Sequence, residues 1–219
     1  MAGRPRTVSD EDLINATIRV MSRLGPVKLT LAEVAKEAGV TAATLVQRFG
    51  SKRGMMLKIA SDAAAFGDAC FDMVRTAHPD SPLDALIASV TGMAQMASTP
   101  EELSNSLAFL QIDISDPEFH VHTLELSKKT LAGYRALLRE AVAAGELKAH
   151  DTARMARAIN AIAGGSLISW AVFREGTAEK WLRRDLETLL APYMERGGTA
   201  YRRNRRPGDA LRKAKPEFS

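Results

Sequence analysis

Residues 30–45 read TLAEVAKEAGVTAATL, and this stretch decides the fold of the chain. Thr30 and Glu33 have the spacing of a capping box, which begins a helix by satisfying two free amides reciprocally. Gly39 suits the left-handed backbone that ends a helix, and Thr41 can cap a second one. Apolar residues recur between them at the spacing of one buried helical face: Leu31, Val34, Ala35 and Ala38. The stretch therefore predicts two short helices joined by a tight turn.

Two short helices joined in this way form a helix-turn-helix, whose second helix enters the major groove of DNA. The same layout is common in other all-α proteins, so the flanking sequence has to decide. A longer amphipathic helix precedes it, from a cap at Ser9 to Gly25-Pro26. Ser51 follows it, as a cap before two cations, Lys52 and Arg53. Because cations oppose the dipole at a helix start, an external anion such as phosphate explains them better than helix stability does.

From about Asp10 to Ile59 the chain resembles the tetracycline-repressor (TetR) family of bacterial one-component regulators. The matching positions are Leu29 to Thr41, Thr44-Leu45, Phe49, Ser51-Lys52 and Met55-Met56-Leu57. The resemblance implies an all-helical homodimer of about nine helices. It would have an N-terminal three-helix DNA-binding domain, a connecting fourth helix and a C-terminal helical domain for ligand binding and dimerisation.

The resemblance also suggests which residues contact DNA. Thr30, Thr44 and Lys52 match positions that usually contact phosphates, and the recognition helix would present Thr41, Ala42, Ala43 and Gln47. Gln47 is expected to pair with adenine, although Arg48 is an alternative reader of guanine. The family commonly has aromatic residues where this chain has Val46 and Arg48, and often Glu where it has Arg53. Arg48 and Arg53 are therefore candidates to replace a missing tyrosine–phosphate contact electrostatically.

The charge of the chain is uneven. Residues 1–60 carry ten Lys or Arg against five Asp or Glu, residues 61–200 carry 13 against 19, and residues 201–219 carry seven against two. This pattern predicts local contact with a polyanion such as double-stranded DNA. Arg4 and Arg6 precede the first helix, and we expect this arm to lie in an A·T-rich minor groove.

These patterns divide the chain into a basic arm over residues 1–8, a helix-turn-helix domain over 9–50, a helical effector-binding and dimerisation domain over 51–200, and a disordered basic tail over 201–219. The third part shows successive helix starts and almost no strand signal. The starts are marked by Ser51, Ser81, Thr99, Asp116, Asp151 and Thr177.

Apolar residues of the third part suggest two further sites. An effector pocket among the fifth to seventh helices is predicted from Met93, Met96, Phe109, Asp113, Phe119 and Tyr134, although such a stripe is also typical of a plain core. Its lining favours a small hydrophobic ligand. A dimer interface on the last two helices is predicted from Ala161, Gly164, Gly165, Trp170 and Trp181, although an intramolecular core would look similar.

Enzyme chemistry has little support in the sequence. Cys70 is the single cysteine, and His120 and His122 would lie about 200° apart on a helix, which prevents them from holding one ion. No metal site and no cofactor is therefore predicted. The sequence shows no clear apolar run of membrane-spanning length and no signal peptide, which predicts a cytoplasmic protein without a membrane partner. We expect a repressor released from a palindromic operator by a small ligand. The alternative is a helical metabolite-binding or scaffold protein without sequence-specific DNA binding.

Overall fold

The computed structural model describes residues 8–195, except for the side chain of Met96. This part of the chain is all-α, as predicted. Its helices are α1 (Asp10–Lys28), α2 (Leu31–Ala38), α3 (Ala42–Phe49), α4 (Lys52–Ala77), α5 (Pro82–Thr91), α6 (Pro100–Ser115), α7 (Pro117–Ala143), α8 (Thr152–Phe173) and α9 (Ala178–Leu190). Short 3-10 helices follow α5 (Gly92–Met96) and α9 (Ala191–Tyr193). The predicted basic arm with Arg4 and Arg6 and the basic tail lie outside the described residues.

Each α-helix begins at a polar side chain that caps a free backbone amide. The hydroxyl of Ser9 accepts from the Asp12 amide, and the Asp12 carboxylate accepts from the Ser9 amide in return. At every later α-helix of the described residues a side-chain oxygen likewise accepts from a first-turn amide, without a reciprocal bond; the caps are Thr30, Thr41, Ser51, Ser81, Thr99, Asp116, Asp151 and Thr177. All the helix starts predicted from these residues are therefore confirmed.

The apolar side chains form two hydrophobic clusters. The first, which we call the head core, lies among α1 to α4 and includes Leu13, Val34, Leu45 and Met55, all fully buried. It also contains Phe109 of α6 and Phe119 of α7. The second, the body core, is built by α5 and α7 to α9 with contributions from α4 and α6. We call residues 8–50 the head, and the part of the chain from α5 onward the body.

Helices α4 and α7 run side by side in the same direction and connect the head to the far end of the body. Contacts between them recur at matching positions along both helices. Lys129 donates to the Ala64 carbonyl at 2.8 Å, and further along both helices Arg75 pairs with Glu140 at 3.1 Å. Because α4 begins directly after α3, its first turn moves with the helix-turn-helix.

Helix α8 differs from the sequence expectation. It is long and apolar enough to span a membrane by length and composition, although no such run is expected from the sequence. Its apolar character has two sources, since one face packs in the body core through Ile159, Ala163 and Leu167, while another exposes Ile168 and Val172. The exposed face leaves apolar surface that a second subunit could cover.

Candidate DNA-binding surface and effector region

Helix α3 turns its polar and small side chains outward. Leu45 is fully buried in the head core and fixes the rotation of the helix. This rotation leaves Ala42, Ala43 and Gln47 exposed, on a helix with two full turns. The face combines one long amide with small side chains, so it can approach another surface closely. The structure therefore brings together the side chains predicted to face a major groove.

The hydroxyl groups predicted to contact phosphate lie at two helix starts. Thr30 accepts from the Glu33 amide at 3.2 Å, and Thr41 accepts from the Thr44 amide at 3.2 Å. The hydroxyls of Thr41 and Thr44 also lie 3.0 Å apart. A hydroxyl has one donor and two acceptor sites, so a capping role leaves its proton able to bind an anion. The N-termini of α2 and α3 add the positive end of the helix dipole.

Lys52 is held at the same surface by the turn after Gly25. Its ammonium group donates to the Pro26 carbonyl at 2.7 Å. An ammonium group has three donors, so two remain for another partner. The contact holds the side chain against the end of α1, four residues before Thr30 in the chain.

Arg48 is engaged within the head. Its guanidinium pairs with the Asp10 carboxylate and donates to the Val8 carbonyl at 3.4 Å. These contacts tie the end of α3 to the start of α1. As an alternative reader of guanine, Arg48 would first have to leave Asp10, whereas Gln47 already points outward.

Arg53 pairs with acidic side chains of the same chain, a contact that the sequence did not predict. Its guanidinium donates to both carboxylate oxygens of Asp116, at 2.5 and 3.0 Å, and to Glu118 at 2.8 Å. The hydrogen bond from Arg53 holds the pKa of Asp116 below its usual range. A phosphate would therefore have to compete with two acids of the body for Arg53, and the expectation that Arg53 substitutes for a phosphate contact stays a prediction.

The predicted effector residues are divided between the two cores. Met93 and Tyr134 meet in the body core, where the Tyr134 hydroxyl lies 3.7 Å from the Met93 sulfur and burial raises the pKa of Tyr134 to about 12. Phe109 and Phe119 instead belong to the head core. Asp113 is half-buried, and desolvation raises its pKa. The predicted residues therefore do not line one cavity in the described structure, and the side chain of Met96 lies outside it.

One open cleft in the described part of the chain is polar and lies elsewhere. It has a volume of about 420 Å³ and lies between α1, the start of α6 and the end of α8. Its lining includes Arg23, Lys28, Ser104, Asn105 and Arg174. This lining differs from the apolar pocket expected from the sequence.

The predicted dimer face is only partly as expected. Ala161 and Gly165 are exposed, and a methyl group added at Gly164 or Gly165 would meet nothing within 4 Å. Trp181 stacks on the exposed Phe173 with ring centroids 5.5 Å apart. These small and aromatic groups leave a face that another helix could approach closely.

Trp170 does not belong to this face. It is 5% exposed and packs in the body core, with its indole N–H 3.4 Å from the Gly176 carbonyl. The reason is its helical register, because Trp170 follows Leu167 and Ala163 on the inward face of α8. Its prediction as an interface residue is therefore wrong, since the side chain is already covered within one chain.

Residues 13–59 match the family model described as "Bacterial regulatory proteins, tetR family". The chain is also 30% identical over 99 residues to the HTH-type transcriptional regulator BetI of Agrobacterium fabrum. This match covers 44% of the chain and 47% of the relative, so it spans about half the length of BetI.

Solved structures share the fold. SmeT, the repressor of the Stenotrophomonas maltophilia multidrug efflux pump SmeDEF, superposes with a TM-score of 0.62 at 21% identity, covering 86% of this chain and 92% of SmeT. A transcriptional regulator of Saccharomonospora viridis in complex with choline gives a TM-score of 0.68 at 16% identity, covering 85% and 98% of the two chains. Residues 13–59 are therefore similar to the tetR family of bacterial regulatory proteins, and the described part of the chain shares the fold of these solved regulators.

Proposed function

We propose that the chain is a repressor that binds a palindromic DNA operator as a homodimer and leaves it when a small molecule binds. The observation that carries the proposal is the outward face of α3, where Gln47 is exposed beside Ala42 and Ala43. Thr30 and Lys52 keep hydrogen-bond donors available, and the Thr44 hydroxyl shares one hydrogen bond with Thr41. They are suited to phosphates, which position a protein on DNA, while Gln47 is suited to a base edge.

Dimerisation is part of the proposal because α3 alone reads few base pairs. Two recognition helices about 34–36 Å apart would read successive major grooves on one side of the duplex. The exposed Ala161, Gly165, Ile168 and Val172 form a stripe along α8 that a second copy would cover. We propose this stripe, with Trp181, as the centre of the interface.

Effector release is supported by relatives. SmeT has been solved in complex with triclosan, and the Saccharomonospora viridis regulator in complex with choline. For this chain we propose a small hydrophobic ligand that enters the body core between Met93 and Tyr134. Because these side chains are in contact in the described structure, the ligand would have to separate them, and that displacement would alter the packing of α7. We further propose that the protein acts in the cytoplasm.

The test is selection of binding sites from random double-stranded DNA with the full chain. We expect a palindrome with an A·T pair contacted by Gln47. Gln47→Ala should weaken binding to the selected site by about 1–3 kcal/mol and relax one position of each half-site. Gln111→Ala is the matched control, since Gln111 is an exposed amide of α6.

The outcomes separate the two candidate functions. A selected palindrome that loses one base preference only in Gln47→Ala supports the repressor. A Gln47→Ala variant with wild-type preferences, combined with loss of a G·C preference in Arg48→Ala, would assign base reading to Arg48. Recovery of no sequence at all would favour the alternative, a helical protein that binds a metabolite without reading DNA.

A further inference from the structure

Arg53 joins the first turn of α4 to the corner between α6 and α7. Its two terminal nitrogens reach the two oxygens of Asp116, and one of them also reaches Glu118. The guanidinium carbon lies 5.1 Å from the centre of the Phe119 ring. A forked contact of this kind has a defined direction, unlike apolar contact.

The other side of the contact is equally well fixed. Asp116 ends α6 and caps α7, since its carboxylate accepts from the Glu118 amide at 3.0 Å. Phe119, in the first turn of α7, is 2% exposed and packs in the head core. Two contacts therefore hold the corner between α6 and α7 to the head and the first turn of α4. The buried Phe119 ring supplies apolar packing, which has no preferred direction, whereas the hydrogen bonds of Arg53 fix an orientation.

A second polar contact joins the body to the head, between α6 and α1. The side-chain amide of Asn105 in α6 donates to the Ser22 carbonyl in α1 at 2.7 Å. Two separate attachment points restrain rotation of the head more strongly than one. Without the Arg53 contact, the hydrogen bond of Asn105 and the buried rings of Phe109 and Phe119 would still hold the head, but the directional contact at the corner would be lost.

The geometry points to Arg53 as a positioning residue, which fixes the angle of the recognition helix relative to the body and thereby sets the half-site spacing that the dimer accepts. The link to α3 is short, because Gly50 and Ser51 alone separate α3 from α4 and both donate back to carbonyls of α3. A rotation at Arg53 is therefore passed directly to Gln47. The effect on spacing rests on the proposed function, whereas the anchoring of the head does not.

Four variants of the full chain test the inference. Arg53→Glu places a like charge against Asp116 and Glu118. Asp116→Asn removes the charge but retains a good helix cap. The triple variant R53E/D116N/E118R restores one ion pair with reversed polarity. Lys58→Glu is the matched control, since Lys58 is exposed to a similar degree on α4 but pairs with Asp62 within its own helix.

Two measurements are made on each variant. The first is binding to operators whose half-sites are separated by different numbers of base pairs. The second is the head-to-body distance, from spin labels on Lys36→Cys and Arg139→Cys in a Cys70→Ala background. Labelled chains are diluted into unlabelled protein so that distances within one chain dominate. Lys36 and Arg139 are both exposed, on α2 and α7 respectively.

We expect Arg53→Glu to broaden or shift the distance distribution and to reduce the preference for the selected spacing by about tenfold, within the range of typical coupling between sites. Asp116→Asn should show the same change to a lesser degree, the triple variant should recover both properties, and Lys58→Glu should change neither. A wild-type distance distribution in Arg53→Glu would overturn the inference, as would a changed distribution with an unchanged spacing preference. If the wild-type protein selects no DNA, the proposed function fails, and the distance measurement alone decides whether Arg53 anchors the head.

Discussion

The break in α1 gives a prediction whose size follows from the backbone. Gly25 is buried and has φ of 69° and ψ of 177°, a region that only glycine occupies readily. A Cβ atom at this position would lie 2.5 Å from the side-chain oxygen of Asn105. Gly25→Ala therefore meets two obstacles, backbone strain and a steric conflict with a side chain that holds α6 to α1.

The two obstacles can be added. Strain in this region costs about 1–3 kcal/mol. Displacing Asn105 would break its hydrogen bond to the Ser22 carbonyl, which contributes about 0.5–1.5 kcal/mol. We expect Gly25→Ala to lower the free energy of unfolding by about 1.5–4.5 kcal/mol, which corresponds to about 2–4 °C in Tm for each kcal/mol.

Gly39→Ala is the matched control. Gly39 has φ of 68° and ψ of 31°, and an added Cβ would meet nothing within 4 Å. Only the left-handed conformation opposes alanine there, at about 1–2 kcal/mol. Urea unfolding at one protein concentration measures both variants, since the proposed dimerisation would make stability depend on concentration.

A double-mutant cycle with Asn105→Ala separates strain from steric conflict. If Asn105 supplies the conflict, Gly25→Ala should be less harmful in the Asn105→Ala background by about 1 kcal/mol. Two results together would refute the reasoning: an equal loss of unfolding free energy for Gly25→Ala and Gly39→Ala, and additive effects of Gly25→Ala and Asn105→Ala. They would show that the chain relaxes around residue 25 without strain.

Three other predictions concern single side chains. Lys52→Ala should weaken binding to all DNA sites nearly equally and lower the slope of log affinity against log salt by about one, and an unchanged slope would remove Lys52 from the interface. Ile168→Glu should give monomers in sedimentation, whereas Val27→Glu, at a position 92% exposed, should not; a dimeric Ile168→Glu would place the interface elsewhere. Asp113→Asn should be more stable than wild type at neutral pH, because burial raises the pKa of Asp113 and opposes its charged form. Because the native state of the wild type binds this proton more tightly than the unfolded state, the extra stability of Asp113→Asn should disappear as the pH falls through the raised pKa. A difference in Tm between the two proteins that does not change with pH would contradict this prediction.

The helix starts could be predicted because capping acts over two or three residues. The hydroxyl of Thr99, for example, accepts from the amide of Glu102, and both residues are visible in one short segment. The outward residues of α3 were implied by the family resemblance, and the structure shows Leu45 fully buried on the opposite side. These features depend on chemistry that is local in the sequence.

The remaining features depend on partners far along the chain. Arg53 and Asp116 are 63 residues apart, so no spacing rule could link them. Helix α8 has two apolar faces, and periodicity alone could not show that Trp170 lies on the inward one. Phe109 and Phe119 were predicted to line an effector pocket because they follow the register of α6 and α7, but the structure places both against the head.

The head core has a consequence for recombination between relatives. Two of its aromatic rings, Phe109 and Phe119, come from helices that lie more than fifty residues beyond α3 in the chain. A hybrid regulator made by joining residues 1–60 of this chain to a foreign body would lose both rings and the acids that pair with Arg53. The hybrid would expose apolar surface on the transplanted segment. A stable hybrid therefore has to include the residues around the end of α6 and the start of α7 together with the helix-turn-helix.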